Sequence, residues 1–139
     1  MTQEDKEIVL KDLCARLPYK IAVEDEYGDI LYLDYKDVHF EHYVNNIIEG
    51  NIKPYLFPMS SMTEEMLEEL NINGFFIYRD TIANVSHLES KNGISEEIYT
   101  YIDIESSSFL IEFFHSHHID YRGLIPMGLA LDATGKNIY

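Results

Sequence analysis

A single thiol, Cys14, is present in the 139-residue chain, which excludes a framework of internal disulfides and fits a reducing compartment. No stretch approaches the roughly 18 consecutive apolar residues of a membrane span. The opening MTQEDKEIVLKDL carries acids where a secretory leader needs basic residues and then an apolar run. The expectation is a cytoplasmic protein with no membrane partner. Basic residues are also scarce, ten Lys and Arg against 25 Asp and Glu, for a formal net charge of −15. Phosphate binding needs clustered Lys and Arg to displace counterions, so direct nucleic-acid binding is not expected. The acids are spread along the chain without a block of five like charges, which argues against a disordered acidic tail.

What the chain has is enough apolar material to fold: 46% hydrophobic and 13% aromatic residues, with eleven tyrosines and no tryptophan. Its length matches one ordinary domain, and such a chain buries about two-thirds of its unfolded surface without metal or disulfide staples. The whole of 1–139 is therefore read as a single domain, with no linker and no internal repeat.

Local signals give the elements. Thr2 and Asp5 resemble a capping box, and Val9, Leu10, Leu13 and Leu17 recur at helical spacing, leaving Lys6, Lys11 and Asp12 for the wet face. Pro18 stops this helix. Tyr19–Val23 and Ile30–Tyr35 flank Tyr27-Gly28-Asp29 as a hairpin. Residues 37–50 fit either a helix ending at Gly50 or a strand. Two prolines four apart force Lys53–Pro58 to be extended. Ser61 with Glu64 signals a helix start, and Asn73-Gly74 its end. Phe75–Tyr78 and Ile98–Ile104 read as strands, with a loop at Ser90-Lys91-Asn92-Gly93. A last helix runs from the serines at 106–108 to about His117, burying Phe109, Leu110, Phe113 and Phe114. The fold class is α+β, with a small, mainly antiparallel sheet and about three helices.

The final quarter, from Ser106 to Tyr139, is nearly neutral and apolar on a very acidic chain; its acids are Glu112, Asp120 and Asp132. It is therefore expected inside, with LIPMGLALDA packed as irregular chain against the core.

The segments LKDLCARLPY at 10–19, KPYLFPMSSMTEE at 53–65 and HHIDYRGLIPMGLALDA at 117–133 resemble an uncharacterised family of small proteins from Bacteroides-type gut anaerobes. The resemblance implies an accessory role, since such proteins sit in prophage or other mobile-element regions. It implies no activity, ligand or catalytic residue.

The residues that look most like chemistry are His115 and His118, three apart on the end of the last helix, followed by Asp120. Two imidazoles and a carboxylate could supply three ligands to zinc or another divalent metal, leaving an open position for water. The H-S-H-H spacing is not that of HExxH, and the competing reading has the histidines capping the negative end of the helix, with Asp120 and Arg122 forming a local ion pair or satisfying turn backbone groups. His39 and His42 read as solvated. Cys14 reads as a small buried residue within the first helix. No GxSxG, P-loop or GxGxxG is present, the serine runs read as caps, and no catalytic residue or cofactor is assigned. Many tyrosines adjoin acids, as in Glu26-Tyr27, Asp34-Tyr35, Tyr101-Ile102-Asp103 and Asp120-Tyr121. Tyrosine suits interfaces because it buries a rigid ring and keeps a polar tip, although in strands it also fits a half-buried sheet face. The resulting expectation is a non-catalytic, acidic protein-interaction module whose partner is a protein with a basic face. Two alternatives are a metal-dependent enzyme using His115, His118 and Asp120, and a DNA-mimic inhibitor of a nucleic-acid-binding protein.

Overall fold

The computed structural model describes residues 1–80, 85–91, 99–101 and 107–139. Helix α1 spans Gln3–Arg16. Its capping box forms, with the Asp5 N–H on Thr2 Oγ1 and the Thr2 N–H on Asp5 Oδ2, both at 3.1 Å. The face it buries differs from the expected one. Val9, Asp12, Leu13 and Arg16 lie inside, following an i, i+3, i+4, i+7 spacing, whereas Leu10 and Cys14 fall on the opposite side and are exposed. A carboxylate expected in water is therefore buried, and the cysteine expected in the core is not.

The hairpin forms as β1 (Ile21–Glu24) and β2 (Ile30–Leu33), paired antiparallel with Ile21 opposite Leu33 and Glu24 opposite Ile30. Asp25 organises the turn: its Oδ1 accepts the N–H groups of Tyr27 and Asp29 at 2.9 and 2.8 Å, and Gly28 takes φ 82°. Residues 37–50, undecided from sequence, contain helix α2 (Phe40–Ile48), which ends before Gly50 at φ 82°. The proline-bearing segment is strand β3 (Lys53–Pro58), extended as its prolines require.

A short 3-10 turn at Met59–Ser61 precedes α3 (Glu64–Ile72). The cap is Thr63, whose side chain accepts the Met66 N–H at 3.2 Å; the helix thus starts at Glu64, and the cap falls two residues after the expected Ser61. Strands β4 (Phe75–Asp80), β5 (Val85–Lys91) and β6 (Tyr99–Tyr101) form an antiparallel sheet in that order. Ser90 and Lys91, expected in a loop, end β5; Asn92, Gly93, Ile98 and 102–104 lie outside the described residues. Helix α4 covers Ser108–Ser116, and β7 (Ile119–Asp120) and β8 (Leu131–Asp132) come after it.

The fold is α+β, with four α-helices among the described residues. Two compact units divide the chain: Met1–Pro58 with Phe113–Tyr139, and Met59–Glu112. In the first, the sheet runs β2-β1-β3-β7, with β8 also on β3. The β1–β2 and β1–β3 pairs are antiparallel, while β7 and β8 run parallel to β3. One sheet face carries Ile21, Val23 and Leu33 into a core shared with Val9, Leu13, Ile47, Ile52, Leu56, Leu124, Leu129 and Ala130. The other face gathers Ala22, Tyr55 and Ala133 under Phe57, Leu131 and Ile138. From the carboxyl-terminal stretch, Leu124, Leu129 and Ala130 enter one face and Ala133 the other, as its composition suggested, while Pro126–Gly128 and residues 134–137 stay exposed.

Candidate functional site

A buried polar cluster joins α1 to the segment after α4. Arg16 is 1% exposed and Asp12 2%. Such charges persist inside a protein only when paired and hydrogen-bonded. Arg16 Nε donates to Asp12 Oδ2 at 2.7 Å, and Arg16 Nη2 donates to the Ile119 carbonyl at 2.6 Å. Arg122 Nε reaches the other Asp12 oxygen at 3.1 Å, so one carboxylate serves two guanidinium groups. Both guanidinium groups also lie over the Tyr121 ring, 5.3 and 5.0 Å from its centroid.

The cluster extends to His115. Arg122 Nη2 lies 3.1 Å from the Tyr121 hydroxyl, which lies 2.8 Å from His115 Nε2. Arginine can only donate, so the hydroxyl accepts from Arg122, and the direction of its bond with His115 Nε2 follows the imidazole tautomer. Burial, with Arg16 next in weight, lowers the His115 pKa to about 4, and burial raises that of Tyr121. Both groups are neutral at neutral pH.

His118 takes a different path. It stands at φ 58°, in the left-handed region that glycine usually fills after a helix, and its N–H bonds the His115 carbonyl at 3.1 Å. Its carbonyl accepts the Phe57 N–H at 2.8 Å, which ties the helix end to β3. Its ring stacks on Tyr139, 3.6 Å between centroids. Burial, followed by the Arg16 charge, depresses its pKa to about 4. The Tyr139 hydroxyl in turn accepts the Ala22 N–H at 2.9 Å and donates to the Tyr55 carbonyl at 2.7 Å. Burial pushes the Tyr139 pKa up to about 12. His117 packs on Phe113, with ring centroids 4.7 Å apart.

Asp120 is buried, and both its oxygens accept backbone N–H groups, from Leu124 at 2.9 Å and Ile125 at 2.8 Å. It therefore caps the turn that begins the irregular 123–130 stretch, an Asx-type role expected of a short acidic side chain. The three metal candidates thus have three separate tasks: His115 on Tyr121, His118 under Tyr139, Asp120 on a turn. Among the described residues no group of three His, Cys, Asp or Glu side chains is placed to hold a metal ion. Of the two readings for Asp120, bonding to the turn backbone is the one found, while Arg122 turns to Asp12. Adding zinc to the untagged protein should leave its melting temperature unchanged; a rise of several degrees would show that these donors can be drawn together.

Among the described residues, two clefts lie near the start of α1. One, of about 190 Å³, is lined by Met1, Ile47, Glu49, Gly50, Lys53, Gly128 and Leu129. The other lies along Glu4, Glu7, Ile8 and Lys11. Neither is lined by His115, His118 or Asp120.

The second notable region is the outer surface of the hairpin and the segment after it. Tyr27, Tyr35 and Val38 are 82%, 69% and 90% exposed, and Ile30 and Tyr32 are also exposed. Tyr32 is held in place at its tip, where the hydroxyl donates to the Ile138 carbonyl, and Lys20 Nζ lies 4.3 Å from its ring centroid. Glu26, Asp29, Asp34 and Asp37 are exposed among these residues, with Lys36 the cation between them. Of the tyrosines paired with acids in the sequence, Tyr27 and Tyr35 lie on this surface, whereas Tyr121 belongs to the buried cluster. Tyr101 lies in β6. No described helix is long and apolar enough to cross a membrane. Comparison with known proteins finds no family model, no curated protein and no solved structure that matches the chain.

Proposed function

We propose that the chain is a non-catalytic protein-interaction module and that its contact surface is the hairpin with the adjoining segment, residues 25–38. The observation that carries this reading is the exposure of Tyr27, Tyr35 and Val38 within one segment of chain, 27–38. Large apolar groups gathered on a surface and rimmed by polar residues are typical of interaction sites, and tyrosine is enriched among the residues that dominate binding. The acids between them favour a partner with a basic face, which they would steer into contact. The buried cluster supports the same reading from the other side. His115, Asp120 and Tyr121 are engaged with one another's neighbours in the interior, where they stabilise the fold. The single cysteine favours a cytoplasmic setting, and an accessory role rests on the likeness of 10–19, 53–65 and 117–133 to proteins of mobile-element regions.

Photo-crosslinking residues placed at Tyr27, Tyr35 and Val38 test the surface, with Glu4 on α1 as control. The expected result is one discrete adduct from the three hairpin positions, absent from the control and weakened at high salt. Adducts of equal yield from all four positions, or none from the hairpin, would dismiss the reading.

A further inference from the structure

The edge of β2 has a defined hydrogen-bonding register. The Asp25 N–H donates to the Asp29 carbonyl at 2.9 Å, which makes 25 and 29 a hydrogen-bonded pair. In an antiparallel ladder such pairs alternate with non-bonded ones. The next bonded pairs are therefore Val23 with Leu31 and Ile21 with Leu33, both in the observed register. Ile30 and Tyr32 then point their backbone N–H and C=O groups away from β1. The bond from the Ala22 N–H to the Tyr139 hydroxyl agrees, because Ala22 is opposite Tyr32 and its amide turns away from β2. Among the described residues no strand pairs with the outer side of β2, which ends the order β2-β1-β3-β7.

We infer that this edge receives an extended, cationic segment of a partner protein, added as a further strand beside Ile30 and Tyr32. The inference rests on the interaction surface proposed above and gives its partner a chemistry. Open edges are templates for pairing, and main-chain bonds from such an edge are an established source of affinity for extended peptides. The four outward groups of Ile30 and Tyr32 supply the bonds. The exposed side chains of Ile30 and Tyr32 offer apolar contact to alternate residues of the incoming strand. Charge selects the occupant. Asp29 precedes the strand and Asp34 comes after it, with Glu26 and Asp37 beyond, so Lys or Arg at both ends of an incoming segment meets acids. A second copy of this chain would bring the same acids against them, at a net charge of −15 for each copy. The same charges that admit a basic strand discourage edge-to-edge self-pairing.

The test uses two synthetic peptides, one alternating Lys with Val and Thr and the other with Glu in place of Lys. Binding is monitored by amide exchange and by affinity, for the full chain and for Ile30→Pro, Ile30→Ala and an Asp29→Lys/Asp34→Lys variant. Proline at position 30 removes an outward donor and leaves the β1 ladder intact, a placement that edge strands accept. The lysine peptide should bind and should protect the Ile30 and Tyr32 amides, and the glutamate peptide should not bind. Ile30→Ala should keep affinity within about threefold, and Ile30→Pro should lose roughly tenfold, the scale of one or two backbone hydrogen bonds. The double lysine variant, which alters no strand residue, should favour the glutamate peptide. Failure of the lysine peptide to bind at millimolar concentration, or equal affinity of the alanine and proline variants, overturns strand addition. So does a wild-type dimer that Ile30→Pro dissolves. Crosslinks from Tyr27 and Val38 that persist in Ile30→Pro would leave the interaction surface standing and remove only the strand.

Discussion

Replacing Asp12 by alanine should cost about 3–5 kcal/mol of stability, because it leaves the buried Arg16 guanidinium without its counter-charge. Arg16 has no route to water, being 1% exposed, and Asp12 is the carboxylate that neutralises it. Arg122 is less enclosed and recovers part of its hydration, so the loss falls mainly on Arg16. For a chain of this size the change corresponds to a fall in melting temperature on the order of 10 °C or more, measured by calorimetry or circular dichroism. The pair itself is a different quantity from the cost of breaking it. Asp12→Leu combined with Arg16→Met fills the site with apolar side chains and should be much milder than Asp12→Ala alone. A double variant as unstable as the single one would show that the Arg16–Ile119 bond, and not the ion pair, carries the junction between α1 and β7.

Acid should unfold the protein earlier than its carboxylates alone require. His115 and His118 both have folded pKa values lowered to about 4, by burial first and then by the Arg16 charge. An unfolded histidine titrates near 6.5, so between pH 6.5 and about 4 the unfolded chain binds more protons. Stability therefore falls as pH drops through that window, and it is full above pH 6.5. By pH 5 the cost is on the order of 2 kcal/mol for His115 and less for His118, which keeps some contact with solvent. Around His115 stand Arg16, Asp12 and Arg122; around His118, Arg16 and His117. Asn at position 118 tolerates the left-handed backbone, so His118→Asn should remain folded and show a visibly shallower slope of melting temperature against pH. An unchanged slope would place the titration elsewhere.

Much of the architecture was legible because its causes are local. The Thr2–Asp5 box, the stop at Pro18, the turn at Tyr27-Gly28-Asp29 and the extension forced by Pro54 and Pro58 each depend on a few neighbouring residues. The neutral, apolar last quarter announced its own burial. The illegible features depend on partners far away in sequence. Asp12 goes inside because Arg122, 110 residues later, meets it there, and the helical pattern of α1 holds no sign of that contact. Leu10 loses its place in the core for the same reason. The parallel bridges of β7 and β8 to β3 are two residues each, too short for any periodicity to show. Strand β5 mixes Ser, His, Glu and Lys with two apolar residues and has no alternation to trace. For the site, the sequence displays the residue types but not their spatial relations. The histidines and Asp120 are close in sequence, yet a left-handed backbone at His118 sends neighbouring side chains to Tyr121 and Tyr139. The tyrosines suit either an interface or a half-buried sheet face by residue type, and the exposure of Tyr27 and Tyr35 is visible only in the folded hairpin.

The first compact unit is interrupted by residues 59–112, and its central strand β3 gains β7 and β8 only from the far side of that interruption. A ribosome therefore releases β3 with one flank bare, and dozens of residues emerge before a neighbour for it is made. Closing so long a loop raises the entropic barrier only slowly with length, yet every pairing that completes the sheet is non-local. Maturation of the nascent polypeptide should thus be gated by synthesis of the stretch from α4 onward, roughly thirty residues, with the half-built sheet meanwhile open to chaperones.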